Sequence, residues 1–233
     1  MTFKKISSPT LKELFIEQIE NMILSNELKI GEKLPPEREI AQMMQISRSV
    51  VNDGIVEMAK KGFLQIIPRQ GTYVADYKKY GTIDILVSIM KNSHVSNDYI
   101  QAVLELRIIL MNLTLESAIK HIDKNHLKQL ENISIQLNQS QSCQEAAQYL
   151  FDFDHYLTTI SDNLLLPLIF SSFKNPNIIL FERYIQRHGI QIMYERNVLL
   201  LQCLERKDIA GAKKIMTKSI ENTLSGKTEI YNK

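Results

Sequence analysis

Apolar residues recur at three- and four-residue spacing from Leu11 onward, and that rhythm predicts a chain built mostly of helices. Leu11, Leu14, Phe15, Ile19, Met22 and Ile23 make one apolar face. Thr10 followed three residues later by Glu13 has the form of a capping box that starts this helix. Ser25-Asn26 and Gly31 end it. A second, short helix is predicted from Pro36-Glu37 to Met44, with Ile40, Met43 and Met44 facing inward. After a tight connection at Gln45-Ile46, Ser47 suits the N-cap of a third helix that runs to Lys61. Val51, Ile55, Met58 and Ala59 form its inner stripe, and Gly62 supplies the stop. The pattern then shortens to a strand over Phe63 to Ile67, a turn at Pro68-Arg69-Gln70-Gly71 and a returning strand at Thr72-Tyr73-Val74.

Helix, helix, tight turn, helix and hairpin follow one another in the order of a winged helix-turn-helix. The segment 77–81 is polar and tyrosine-containing, and reads as a link. Beyond it the helical period continues without strand-like alternation. Helices are predicted near 82–91, 97–121, 123–139, 143–161, 164–173, 176–188, 189–206 and 208–224, with Asp208 as the N-cap of the last. The expected fold is therefore mainly α. A winged helix-turn-helix over 1–76 precedes an antiparallel helical bundle over 82–233.

Composition narrows the class. Eight glycines and six prolines are few for 233 residues, and no apolar run is long enough for a transmembrane helix. The first ten residues carry two lysines with no apolar stretch behind them, unlike a signal peptide. Cys143 and Cys203 have no metal-type spacing and are expected as reduced, buried thiols of a cytoplasmic protein. The formal charge of +2 falls entirely before Gly81, which fits contact with nucleic acid without establishing it.

On the third helix, opposite the inner stripe, Arg48, Ser49 and Asn52 share an outward face near the N-terminus. That end carries unpaired N–H groups suited to a phosphate, and its side chains are placed to reach base edges in a major groove. Arg48 has the donors to read guanine, while Ser47 and Ser49 suit phosphate. The run Leu34-Pro35-Pro36-Glu37-Arg38-Glu39-Ile40-Ala41, then Ile46-Ser47-Arg48-Ser49-Val50-Val51, then Gly62-Phe63-Leu64 and Arg69-Gln70-Gly71-Thr72-Tyr73-Val74, resembles the DNA-binding domain of the GntR family. The resemblance implies a DNA contact for Arg38 and a wing whose tip presents Arg69 and Gln70, with Gly71 allowing close approach to a groove. Asn52 stands where the family usually has arginine, and Asp53-Gly54 replaces its Glu-Ala. A glycine inside a helix costs about 1 kcal/mol relative to alanine.

Glu105-Leu106-Arg107, Phe153 with Leu157 to Asn163, and Asp208 with Ala212 and Met216 resemble the FCD-type helical effector domain of the FadR subfamily. Many such domains hold a divalent metal in the bundle through one Asp and three His. Matched from the nearest anchors, those positions fall here on Leu150, Asp154, Asn197 and Ser219. One carboxylate and two neutral oxygens do not make the ligand set that zinc prefers, so no metal is expected. A frame shifted by one residue brings His155 to the first ligand position. The unshifted frame fits Phe153, Leu157, Ser161 and Asn163 together. His94, His121, His126 and His188 suit helix ends or polar faces better than ligation.

The resemblance implies a homodimeric, ligand-responsive repressor or activator that binds a double-stranded DNA operator, with no membrane partner. The effector is expected in the helical bundle, among Arg107, Leu150, Asp154, Arg183, Asn197 and Ser219. It is an organic acid or an acyl-CoA-like molecule; the second follows from an acyl-CoA-responsive member of the subfamily that also lacks the metal set. Two other readings compete. One is a metal-dependent acid sensor on the same fold. The other is a helical enzyme with an accessory DNA-binding domain. Asp152, Asp154 and His155 offer the latter no nucleophile, oxyanion device or phosphate loop.

Overall fold

The computed structural model describes residues 9–91 and 97–224. The chain divides into two compact units, Met1–His94 and Val95–Lys233.

In the first unit, α1 (Leu11–Leu24) begins with the expected capping box: the Thr10 hydroxyl accepts from the Glu13 N–H at 3.2 Å, and the Glu13 carboxylate accepts from the Thr10 N–H at 2.7 Å. Its buried side is Phe15, Ile16, Ile19, Glu20 and Ile23. Leu11 and Leu14, expected inside, lie about half exposed, and Ile16 takes their place in the core. α2 (Glu37–Met44) buries Ile40 and Ala41, whereas Met43 is 66% exposed. Eight residues allow only about two turns, and the packed face is confined to Ile40 and Ala41. Gln45 takes a left-handed conformation (φ 55°), which turns the chain into α3 (Arg48–Lys61) within three residues.

Val51, Gly54, Ile55 and Met58 are the buried face of α3, packed against α1 and α2. Gly62, at φ 89°, stops the helix, and β1 (Leu64–Ile67) and β2 (Gly71–Val74) form the antiparallel hairpin. The residues before α2 extend it. Lys33 bridges to Tyr73, and the Leu34 N–H donates to the Thr72 carbonyl at 2.9 Å.

The segment read as a link is itself ordered. α4 (Tyr77–Tyr80) makes one turn capped by Asp76, and Tyr77 lies 5.8 Å from the Phe63 ring. The Thr82 N–H donates to the Lys61 carbonyl at 3.0 Å, which ties this stretch to the end of α3. α5 (Asp84–Lys91), predicted as the first helix of the bundle, packs against α1 in the first unit.

The second unit is all helix among its described residues. Its elements are α6 (Asn97–His121), α7 (Lys124–Gln139), α8 (Cys143–Ile160), α9 (Leu166–Ser172), α10 (Lys174–His188), α11 (Gln191–Glu205) and α12 (Ile209–Leu224). Every bound from α5 onward falls within two residues of its expected position. α8 is central, packed by α6, α7, α9 and α10, and it buries Leu150, Phe153 and Leu157 completely. α12 closes the bundle against α6 and α11, and the Asp208 carboxylate accepts from the Gly211 N–H at 2.9 Å as its cap. Cys143 and Cys203 are free thiols and only half-buried; each sits near a helix end, where the bundle does not enclose it. No helix among the described residues is long and apolar enough to cross a membrane.

Candidate nucleic-acid interface and buried helical site

The start of α3 is organised by its cap. The Ser47 side chain accepts from the Val50 N–H at 3.3 Å, leaving its hydroxyl proton for another acceptor. Arg48, Ser49 and Asn52 are all exposed on the face opposite Val51 and Ile55. Asn52 is not idle: its amide donates to Glu37 at 3.2 Å, linking α2 to α3. Arg38, in the first turn of α2, is also exposed. Neither Arg38, Arg48 nor Arg69 forms an ion pair among the described residues, so three guanidinium groups face solvent uncompensated.

Arg69 and Gln70 stand exposed at the hairpin tip. Arg69 is left-handed (φ 64°), and Gly71 has φ 122°, a conformation that side chains avoid. A Cβ on Gly71 would also meet the Lys33 Cε at 2.9 Å. Lys33 is therefore a further cation beside the wing. Sequence reading missed it because its partner strand lies forty residues downstream.

The second site lies inside the helical unit. Leu150, Asp154 and Asn197 are fully buried, and Ser219 lines an adjoining cavity. Asp154, on α8, is gripped from two sides. Arg107 on α6 approaches one carboxylate oxygen at 2.5 Å, and Arg196 on α11 the other at 3.1 Å. Arg196 also donates to the Asn197 side-chain oxygen at 2.7 and 3.1 Å. Arg107 stacks over Phe181, 4.1 Å from its centroid. Burial lowers the Arg107 pKa from its ordinary value, and the charge of Asp154 works against that shift.

Arg196 is the residue that sequence reading left out. A lone arginine in a helix reads as surface, and only the fold brings it to Asp154. Arg183, half-buried on α10, lines neither cavity of this region.

These residues do not fit a divalent metal. Leu150 offers no donor, both Asp154 oxygens and the Asn197 oxygen already accept from guanidinium groups, and two positive charges stand beside them. His155 is turned elsewhere. Its ring stacks on Phe151 at 5.6 Å, and its Nε2 lies 2.9 Å from the Ser171 hydroxyl. Among the described residues no three His, Cys, Asp or Glu groups gather as a metal cage. His126 completes a capping box with Asp123, His121 faces Asp162 at 3.6 Å, and His188 packs on Tyr184. His94 lies outside the described residues.

The fold defines a winged helix-turn-helix protein that carries an all-helical bundle with a buried ion cluster. Residues 11–74 match the family described as bacterial regulatory proteins, gntR family, and residues 102–222 match the FCD domain. The chain belongs to the GntR family of regulators with an FCD domain.

The HTH-type transcriptional regulator Mce2R of Mycobacterium tuberculosis is 25% identical over 109 residues, 46% of this chain and 45% of that protein. The chain thus spans about half the length of the first curated relatives it matches. The fatty acid metabolism regulator protein of Proteus mirabilis is 24% identical over 159 residues, 68% of this chain and 65% of that protein. A solved structure of Lar, described as controlling expression of the Listeria monocytogenes agr system, shares the fold. Its TM-score is 0.60 at 15% identity, over 93% of this chain and 96% of that one. These relatives bear the names of transcription regulators and not of enzymes.

Proposed function

We propose that the protein is an effector-controlled transcription regulator that acts in the cytoplasm as a homodimer on double-stranded DNA. Residues 1–76 recognise the operator, 77–81 lead on to the rest of the chain as an ordered turn, and 82–233 bind the effector and form the dimer, with α5 at their start packed on α1 of the first unit. The observation that carries the reading is the start of α3. Arg48, Ser49 and Asn52 stand exposed beside a capped helix N-terminus, after a three-residue turn from α2. In this reading Arg48 reads a base edge, Ser47, Ser49 and Arg38 hold phosphates, and Asn52, steadied by Glu37, reads or orders the neighbouring base. Arg69 and Gln70 enter the adjoining groove, with Gly71 allowing the approach.

The second protomer follows from reach. One short recognition helix reads few base pairs, so specificity requires paired half-sites. The effector occupies the helical unit around Arg107, Leu150, Asp154, Asn197 and Ser219, without a metal. Arg183, half-buried on α10 next to Tyr184, lines neither of the two cavities and is left out of this assignment.

Gel shift against genomic fragments followed by footprinting tests the reading. Protection of two closely spaced, near-palindromic half-sites is expected. Protection of a single asymmetric half-site by one protomer, or no retained fragment, would refute it.

A further inference from the structure

The buried charges of the helical unit do not balance. Among its described residues the buried charged side chains are Arg107, Asp154 and Arg196, two positive and one negative. An uncompensated charge away from water is strongly unfavourable. The same cluster leaves three donor nitrogens without an acceptor: Arg107 Nε, Arg196 Nη1 and Asn197 Nδ2. Buried N–H groups without partners are rare in folded proteins and call for an explanation. Together these groups could take one acceptor carrying one negative charge.

Two neighbouring cavities share walls at these groups. Arg107 and Arg196 line a small cavity together with Leu104, Phe181, Tyr184 and Met193. Tyr184, Met193, Arg196 and Ser219 also line a wider cleft of about 390 Å³ between α11 and α12, within the size range of small-molecule sites. Its walls are largely apolar (Ile192, Leu199 and Ile215), and its charged residues besides Arg196 are Lys214, Lys218 and Glu195.

We propose that the effector is a small organic acid with an apolar body, whose carboxylate is taken directly by Arg107 and Arg196 at the place where the family resemblance implied a metal. The proposal rests on reading the second unit as an effector domain. Guanidinium groups suit the role because they stay charged when buried and hold carboxylates through fixed N–H pairs. Asp154 does not block it, since each of its oxygens already engages one arginine and the unpaired nitrogens remain for the ligand. An acyl thioester fits less well, because it brings no charge to the inner end of the cleft. A carboxylate held by both arginines also adds a link between α6 and α11 beside the one through Asp154, which gives it a differential grip on helix arrangement.

The test is calorimetry and thermal melting of the full-length protein with straight-chain acids from butanoate to decanoate, the matching primary amides, and decanoyl-coenzyme A. Acids of matching length should bind and raise Tm with concentration. Their amides and the thioester should bind at least roughly tenfold more weakly, since they lack the charge. Arg196→Lys, which keeps charge but loses the fork, and Ser219→Trp, which narrows the cleft and leaves the ion network intact, should each weaken the acid by a similar factor. Equal affinity for acid and amide, thioester binding without acid binding, no acid binding across the series, or undiminished affinity in both variants overturns the proposal. Gel shifts on the same preparations separate the two levels. A protein that binds DNA but no acid refutes the anion site alone, whereas one that binds acid but no DNA refutes the regulator reading alone.

Discussion

The ring of Phe15 on α1 lies so close over Gly54 on α3 that a Cβ there would meet its Cδ1 at 2.3 Å and its Cε1 at 2.6 Å. The glycine is a packing device that lets two helices of the DNA-binding unit touch at the backbone. Gly54→Ala should therefore destabilise the first unit by about 1–3 kcal/mol through overpacking. The gain of about 1 kcal/mol in helix propensity offsets this only in part. Urea unfolding measures the difference. Phe15→Leu together with Gly54→Ala should cost less than the two single changes added, because the smaller side chain vacates the clash.

The recognition surface makes a two-part prediction. Arg48→Ala should lose about 1–3 kcal/mol of operator affinity per protomer and relax the preference at one base pair. Arg38→Ala should weaken binding to all sequences evenly and flatten the dependence on salt, as loss of a phosphate contact does. Titrations at several salt concentrations, on operator and scrambled DNA, separate the two. Wild-type affinity in both variants would sink this placement of the recognition helix.

Much of this was legible in the residues, and what was not has a common cause. Helix order, caps and the hairpin follow from local patterns, so Thr10, Ser47, Gly62 and Asp208 all act as their types require. Burial depends on neighbours. Leu11, Leu14 and Met43 fit an apolar period yet are left outside, because α1 and α2 are covered along one narrow strip centred on Ile16, Ile19 and Ala41. Gly54 reads as a helix defect until Phe15 is set against it. The buried site was half visible. Leu150, Asp154, Asn197 and Ser219 came from matching positions, and of the two arginines expected to hold a carboxylate Arg107 lines the cavity and Arg183 does not. Arg196 needed the fold, because nothing in a helical period distinguishes a buried arginine from an exposed one until its carboxylate, 42 residues earlier, is in place.

Asp154 ties the helical unit together by pairing with two nearly buried guanidinium groups, of whose two charges it offsets one. Asp154→Asn keeps an acceptor but removes the charge. It should cost about 3–5 kcal/mol, the range for breaking a buried pair and stranding the partner. Asp154→Leu should be at least as damaging, since it also removes the acceptors. Far-UV circular dichroism with urea unfolding reads the loss. Near-native stability of Asp154→Asn would mean the arginines are not held as ion-pair partners.

A surface clamp gives a pH dependence of known sign. Lys12 on α1 meets Glu57 on α3 at 3.0 Å. The hydrogen bond from Lys12 holds the Glu57 carboxyl below its ordinary 4.5, and the same bond raises Lys12 above its ordinary 10.5. A depressed carboxyl stabilises the fold above pH 4.5 and loses that contribution as pH falls through its folded value. A raised lysine stabilises below pH 10.5 and loses its contribution as pH rises through its own folded value. Lys12→Met should therefore be slightly less stable across the interval between those limits, and the difference should shrink in acid and in strong base. It should also shrink in high salt, since both side chains are well exposed. A difference that grows in acid would contradict the assignment.

Chelation should leave the protein unchanged. The positions that resemblance associates with metal hold Leu150, Asp154, Asn197 and Ser219, and their oxygens other than that of Ser219 accept from Arg107 and Arg196. A divalent ion entering there would have to displace two guanidinium groups from a buried carboxylate and stand beside their charge, with no histidine to replace what is lost. His155, the nearest alternative ligand in sequence, is engaged by Phe151 and Ser171 on the side of α8 that faces α9. The same melting temperature with and without EDTA is expected, along with substoichiometric Zn, Ni and Mn in protein purified without a metal-affinity tag. Near-stoichiometric metal, released by chelation with a large fall in Tm, would require His155 to turn inward and the two arginines to leave Asp154. That rearrangement would shift the ligand frame by one residue and remove the basis for an anion at the same centre.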